Sequence, residues 1–259
     1  MTDRRHVGLA LVTGASSGIG LELARQFATH HFDLIIAAEN ATIFAVAREL
    51  ESTRASVEGV QVNLATTAGV DELYGRVEAA GRPLAAAALN AGIGARGAFA
   101  TDIELEAEHA IVDLNVRSTV HLAKRLIPAM VQRGEGRLLF TSSTGATESG
   151  AFQAVYNASK AFVHSFALSL REELRDAGVI VTLLVPGPTD TPFFERANTP
   201  ISHHAGMHKD HAADVARAGF EALMNGDELV VTRRPPPTPT VRRRVRRWIG
   251  RVRRRALSH

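Results

Sequence analysis

The feature that most limits what this chain of 259 residues can become is a repeated alternation of short β-branched or apolar runs with longer stretches of helical period. Seven runs stand out: Val7 to Thr13, Asp33 to Ala38, Val57 to Val62, Leu84 to Asn90, Gly136 to Thr141, Ile180 to Val185 and Glu228 to Val231. Most are continuously apolar, the pattern of strands covered on both faces. Between them lie helical stretches at Gly18 to His30, Ile43 to Thr53, Ala68 to Gly81, Glu104 to Arg133, Ala154 to Ala177 and Ala212 to Asn225. Phe162, Phe166, Leu170 and Leu174 fall four apart on one face of the fifth helix, and Gly178 stands where a left-handed cap would end it. Pro128 is expected to kink the fourth helix or end it early. Strands alternating with helices imply parallel pairing through right-handed crossovers. The expectation is one α/β domain built on a doubly wound parallel sheet of about seven strands.

Composition narrows the class further. With 45% hydrophobic and 22% charged residues the chain is neither disordered nor collagenous, and it is long enough to hold a core without disulfides. The absence of cysteine removes thiol nucleophiles, iron–sulfur clusters and thiolate-bound zinc, and fits a cytoplasmic address. No run approaches the length of a membrane span, and the apolar stretch after the charged N-terminus stops at Thr13-Gly14, too soon for a signal peptide.

The net charge of +3 conceals an asymmetry, because residues 233–259 hold eleven arginines and no acid, leaving the rest near −8. The chain therefore divides into a body at 1–232, a Pro/Arg-rich linker at 233–240 and a basic tail at 241–259. In the tail Val241, Val245, Trp248 and Val252 recur at helical spacing among arginines. Such an amphipathic helix can lie on an anionic membrane surface, giving a peripheral address, or dock on an acidic partner or its own body; nucleic acid is supported by charge alone.

The first strand runs directly into Thr13-Gly14-Ala15-Ser16-Ser17-Gly18-Ile19-Gly20 and then into a helix. Glycines in that setting let backbone approach a pyrophosphate, and the helix N-terminus supplies free N–H groups. Gly14, Ser16, Ser17, Gly18, Ile19 and Gly20 are thus candidates for dinucleotide binding. A carboxylate after the second strand bonds a ribose 2′-hydroxyl, whereas an arginine accommodates a 2′-phosphate. The sequence there is Ala38-Glu39-Asn40, with no cation, so NAD is favoured over NADP.

Tyr156 and Lys160 stand four apart at the start of the fifth helix and share a face. An ammonium beside a phenol favours the phenolate, which makes such a tyrosine a usable proton donor and acceptor. Ser143 follows the fifth strand, at the edge of the sheet where ligands gather, and Asn90-Ala91-Gly92 and Asn115 add amides near the same edge.

Taken in order, Thr13-Gly14-x-x-x-Gly18-Ile19-Gly20, Asn90-Ala91-Gly92, Asn115, Ser143, Tyr156-x-x-x-Lys160 and Pro186-Gly187-Pro188-Thr189-Asp190-Thr191 resemble the motifs of the short-chain dehydrogenase/reductases over about residues 5–231. The resemblance implies a Rossmann sheet and an NAD(P)-dependent oxidoreductase that transfers a hydride to or from a ketone or secondary alcohol. It makes Tyr156 the general acid/base, with Lys160 lowering its pKa and bonding the nicotinamide ribose. Ser143 would orient the carbonyl, and Asn115 would hold a water in a proton relay. Asn90, Ala91 and Gly92 would lie beside the adenosine half. Pro186, Gly187, Thr189 and Thr191 would clasp the carboxamide of the nicotinamide, through Thr191. It also implies a homodimer or homotetramer paired through the fourth and fifth helices. At the end of the third strand the family's usual aspartate is replaced by Asn63, which could still bond adenine. A cofactor-binding sensor without turnover, and an interaction protein working through the tail, remain as alternatives.

The stretch from Pro188 to Ala212 resembles the family's mobile substrate lid, and Phe193 and Phe194, with Phe152 near the tyrosine, suggest an apolar substrate pocket. His204, His208 and His211 share helical spacing, but no acidic or cysteine ligand accompanies them, and no metal site is expected.

Overall fold

The structure of the protein, a computed structural model, describes residues 7–53, 55–147, 150–193 and 209–232. Seven strands form one parallel sheet: β1 (Gly8–Thr13), β2 (Phe32–Ala38), β3 (Val57–Gln61), β4 (Leu84–Leu89), β5 (Gly136–Thr141), β6 (Val179–Val185) and β9 (Leu229–Val231). Their order across the sheet is β3-β2-β1-β4-β5-β6-β9. The direction of winding reverses between β1 and β4, and in sheets of this kind a crevice opens there at the carboxyl ends of the strands. This is the doubly wound Rossmann arrangement expected from the sequence, with all seven strands found within a residue or so of their expected bounds. A further pair, β7 (Thr189–Asp190) and β8 (Asp210–His211), lies apart from the sheet and was not foreseen.

Alternate residues of each strand feed two separate cores, as the period-two geometry of a strand requires. Leu9, Leu11, Ile35, Leu138, Phe140 and Leu183 face one side, under α3 (Thr67–Ala79), α5 (Ser118–Arg133) and α6 (Ala154–Leu174). Ala10, Val12, Leu34, Ile36, Leu139 and Leu184 face the other, under α1 (Gly18–Thr29), α2 (Thr42–Glu51) and α7 (Ala212–Asn225). On that second side Phe27 meets Phe32 and Phe220 edge to face, with centroids 5.2 and 5.1 Å apart, joining α1 to α7.

The long fourth helix is where the structure departs most from expectation. Helical backbone begins at α4 (Leu105–Val112), widens into a π turn at Asp113–Arg117, and resumes as α5, which runs through Pro128 to Arg133 without ending early. A π turn inserts a residue into the helical register and loosens nearby carbonyls. Two hydroxyls accompany it: Ser118 Oγ donates to Leu114 O at 2.5 Å and Thr119 Oγ1 to Asn115 O at 2.9 Å. The widened turn carries Asn115, and the change of register presents that side chain towards the end of the sheet. Gly178 adopts the left-handed conformation expected of it, after a 3₁₀ turn at Arg175–Ala177. Among the described residues no helix is long and apolar enough to cross a membrane. The linker at 233–240 and the tail at 241–259 lie outside the described residues, as do Phe194 and the histidines at 203, 204 and 208.

Candidate active site

The carboxyl end of the sheet opens into a cavity of about 690 Å³. Its first wall is the turn between β1 and α1. Gly14 and Gly18 have φ of +69° and +57°, which side chains with a β-carbon rarely adopt. A β-carbon on Gly20 would clash with the Gly14 carbonyl oxygen, lie 2.7 Å from its carbonyl carbon and 2.6 Å from Asn90 Nδ2. One on Gly18 would meet the Thr191 side chain at 2.9 Å. The turn is a cradle of bare backbone that β-carbons would fill, at the N-terminus of α1, and this fits a dinucleotide pyrophosphate.

Thr13 joins that turn to the neighbouring strand. Its Oγ1 accepts from the backbone N–H groups of Asn90 and Ala91 at 3.0 and 3.1 Å and donates to Ala88 O at 3.3 Å. Asn90 Nδ2 returns a bond to Thr13 O at 3.2 Å. The ends of β1 and β4 are therefore stitched together where winding reverses, which sequence reasoning had left to the glycines alone. Beyond β2, Glu39 and Asn40 border the cavity; Gln61 Nε2 donates to Glu39 O at 3.1 Å and Asn40 Nδ2 to Ser16 Oγ at 3.3 Å. Asn63 lines the same end, its Oδ1 accepting from Ala65 N at 2.9 Å.

The opposite wall comes from β5 and α6. The two adjacent serines after β5 separate by direction. Ser142 is buried and donates to the Lys160 carbonyl at 2.9 Å, whereas Ser143 lines the cavity with Tyr156 and accepts from Gly145 N at 3.1 Å. The Tyr156 ring lies 5.4 Å from that of Phe193. Lys160, 5% exposed, donates from Nζ to Thr141 O at 3.0 Å. Enclosure disfavours charge on both groups. It holds Tyr156 above the usual phenol range, opposed by the Ser143 hydroxyl, and lowers Lys160 to about 8. The lowering of the tyrosine by its lysine neighbour, expected from the sequence, is not found here: burial raises the phenol, and the influence that opposes it comes from Ser143.

All the residues marked from sequence as cofactor-binding border this one cavity, as does Ser143. Asn115 does not. It is buried behind Gly92, where a β-carbon would lie 3.1 Å from both Asn115 Oδ1 and Lys160 Nζ. Its Oδ1 accepts from Ile93 N at 2.9 Å, and its Nδ2 donates to Ile93 O and to Ser159 Oγ, each at 2.9 Å. Ser159 in turn donates to Tyr156 O at 2.7 Å. This serine was missed, although its place between Tyr156 and Lys160 on a shared helical turn was a legible signal.

The third wall is the segment after β6. Thr144 N donates to Pro186 O at 3.0 Å, and Thr189 Oγ1 bonds Gly187 O at 2.9 Å. Pairing of Thr189 with Asp210 and of Asp190 with His211 then clasps the chain on either side of residues 191–209. His211 is exposed at the start of α7, and Phe152 is exposed with φ of +69° and no place in the cavity wall, contrary to the apolar role expected of it.

A profile of the family described as short chain dehydrogenase matches residues 8–201. The chain is 33% identical over 217 residues to the 1-deoxy-11-beta-hydroxypentalenate dehydrogenase of Streptomyces exfoliatus, covering 83% of this chain and 78% of that protein. Among solved structures, a short-chain dehydrogenase/reductase from Burkholderia phymatum in complex with NAD superposes with a TM-score of 0.80 at 25% identity, covering 92% of each chain. A short-chain dehydrogenase from Sphingobium yanoikuyae in complex with NADPH shares the fold, with a TM-score of 0.81 at 24% identity over 98% of this chain and 96% of that one. The chain belongs to the short-chain dehydrogenase/reductase family. It is an oxidoreductase that uses a nicotinamide dinucleotide and acts on CH–OH/C=O groups of a small-molecule substrate.

Proposed function

We propose that the reaction interconverts a ketone and a secondary alcohol, with NAD as the preferred cofactor. The observation that carries this reading is the convergence of Ser143, Tyr156 and Lys160 on the wall of the cavity that also holds the glycine turn. When bound, the nicotinamide supplies or accepts the hydride. Tyr156 gives its phenolic proton to the developing alkoxide in reduction and takes it back in oxidation. Ser143 donates to the substrate oxygen and keeps the carbonyl within reach of the phenol. Lys160 steadies the phenolate once the proton has left, since an adjacent positive charge gains most when the tyrosine is ionised. Asn115 acts as a positioning residue, fixing the backbone of Ile93 while its Oδ1 stays beside Gly92 and Lys160, where a relay water could bond it.

Support for NAD comes from the far end of the cavity. Glu39 borders it, and among the described residues no Lys or Arg does so near Glu39, Asn40 and Asn63. Gly14, Ser16, Ser17, Gly18, Ile19 and Gly20 would hold the pyrophosphate, Asn63, Asn90 and Ala91 the adenosine half, and Pro186, Gly187, Thr189 and Thr191 the nicotinamide. Exposed Leu105, Val112, Val120 and Phe162 on α4, α5 and α6 support pairing into a homodimer through these helices. The division at residue 232 into a catalytic body and a basic, surface-binding extension rests on charge alone. The test of the catalytic reading is Tyr156→Phe: turnover falls by about 10²–10⁴-fold while the affinity for NADH changes little, because only the proton donor is removed. Activity retained in that variant overturns it.

A further inference from the structure

Twelve arginines lie within the described residues. Eight of them, at 25, 76, 82, 117, 125, 171, 175 and 217, pair with a carboxylate. Arg133 and Arg137 bond backbone carbonyls, and Arg48 is exposed on α2. Arg96 differs from all of these. It is half-buried and lines the catalytic cavity with Ser143 and Tyr156, and among the described residues its guanidinium makes one bond, from Nη1 to Gln153 Oε1 at 3.3 Å. Among the described residues no carboxylate lies within ion-pair distance of it. The other cation of the cavity wall, Lys160, is committed to Thr141 O, and the acid of that wall, Glu39, stands beyond β2, on the far side of the glycine turn.

The position of Arg96 is built. Gly97 N donates to Phe152 O at 2.9 Å, and Phe152 holds a φ of +69° that is costly for a residue with a β-carbon. The next residue, Gln153, stands one turn ahead of Tyr156 at the start of α6. Two loops are thereby locked together, and the Arg96 and Gln153 side chains line the same cavity as the phenol. An arginine fork pairs best with a planar carboxylate, which it can grip with two parallel bonds. Ile93 and Phe193 line the wall nearby and offer apolar surface to the rest of a ligand.

We infer that the substrate is an oxo or hydroxy acid, whose carboxylate is read by Arg96 while its carbonyl or hydroxyl is held at Ser143 and Tyr156. This rests on the ketone/alcohol reading proposed above and assigns Arg96 as its specificity-determining residue. Gln153 positions the guanidinium and offers its own amide N–H groups to the same carboxylate.

The test uses 2-oxo-4-phenylbutanoate and 4-oxo-4-phenylbutanoate, each beside its methyl ester, which keeps the carbon skeleton and removes the charge. NADH consumption gives kcat/KM for all four with the full chain, with Arg96→Gln and with Arg96→Lys. Calorimetry measures their binding to the NADH complex. The expected result is at least a tenfold preference of the wild type for an acid over its ester. That ratio collapses towards one in Arg96→Gln, mainly through KM, and is partly restored in Arg96→Lys. A ratio near one in the wild type overturns the inference, as does an equal loss for acid and ester in Arg96→Gln, which marks a latch between loops and no carboxylate site. Turnover of none of the four counts against the ketone/alcohol reading. The calorimetric ratio then decides the role of Arg96, and binding of neither acid in preference to its ester refutes it.

Discussion

Replacing Lys160 by methionine should make the protein more stable at neutral pH and catalytically inert. Burial lowers this lysine from its ordinary 10.5 to about 8. A difference of 2.5 between those two values corresponds to about 3 kcal/mol of unfavourable charging in the folded state. The folded state binds fewer protons than the unfolded one between pH 8 and 10.5, so this group makes stability rise with pH across that window; below pH 8 its full penalty applies. Methionine fills a similar volume without charge, but leaves Thr141 O without its donor at a cost of about 1 kcal/mol. The variant should therefore gain about 2 kcal/mol at pH 7, a rise in Tm of about 4–8 °C for a chain of this size. By pH 9.5 the advantage should shrink by about 2 kcal/mol, because the wild-type lysine is by then largely neutral when folded. Urea unfolding of both proteins at pH 7 and 9.5, without added dinucleotide, measures the difference, in which other titrating groups cancel. A variant less stable at pH 7, or a difference that does not move with pH, would refute the reasoning.

Three further outcomes are expected. Asn115→Ala should lower stability by about 2–3 kcal/mol, because it removes three hydrogen bonds and strands the Ile93 N–H, and it should reduce kcat more than dinucleotide affinity; thermal unfolding and steady-state kinetics check both. Gly20→Ala should weaken NADH binding by more than tenfold, since its β-carbon cannot fit without moving the Gly14 carbonyl, as fluorescence titration would detect. Glu39→Arg should shift the ratio of NADPH to NADH in kcat/KM by at least tenfold towards NADPH; an unchanged ratio would mean that the end of β2 does not meet the ribose.

The sheet was legible because its signal is local. Asp33 to Ala38 or Ile180 to Val185 announces a buried strand within six residues, and Gly14, Gly18 and Gly20 announce a tight turn by their lack of side chains. The spacing of Tyr156 and Lys160 likewise fixes a shared helical face. What escaped depends on partners distant in the chain. Thr13 joins β1 to β4 through residues 75 or more positions away, which nothing in its neighbourhood could disclose. The π turn at Asp113–Arg117 has the apolar period of an ordinary helix and differs only in register. Arg96 looks like any loop arginine until it is seen to lack an acidic partner among the described residues. Phe152 was read as a pocket residue because it is apolar and near Tyr156, but its left-handed backbone turns the ring outwards and makes its carbonyl the useful part.

The small pairing of Thr189–Asp190 with Asp210–His211 has a bearing on how enzymes of this shape can diversify. By joining the chain just before Thr191 to the chain just after Lys209, it ties the two ends of the intervening stretch to each other without drawing on the seven-stranded sheet. Lengthening such a tethered insert is cheap, since doubling a flexible loop adds only about 0.6 kcal/mol of closure entropy. Residues can be added or lost between the two short strands during evolution while the pairing holds the ends of the insert in register, so the sheet need not be rebuilt each time a new molecule is to be recognised.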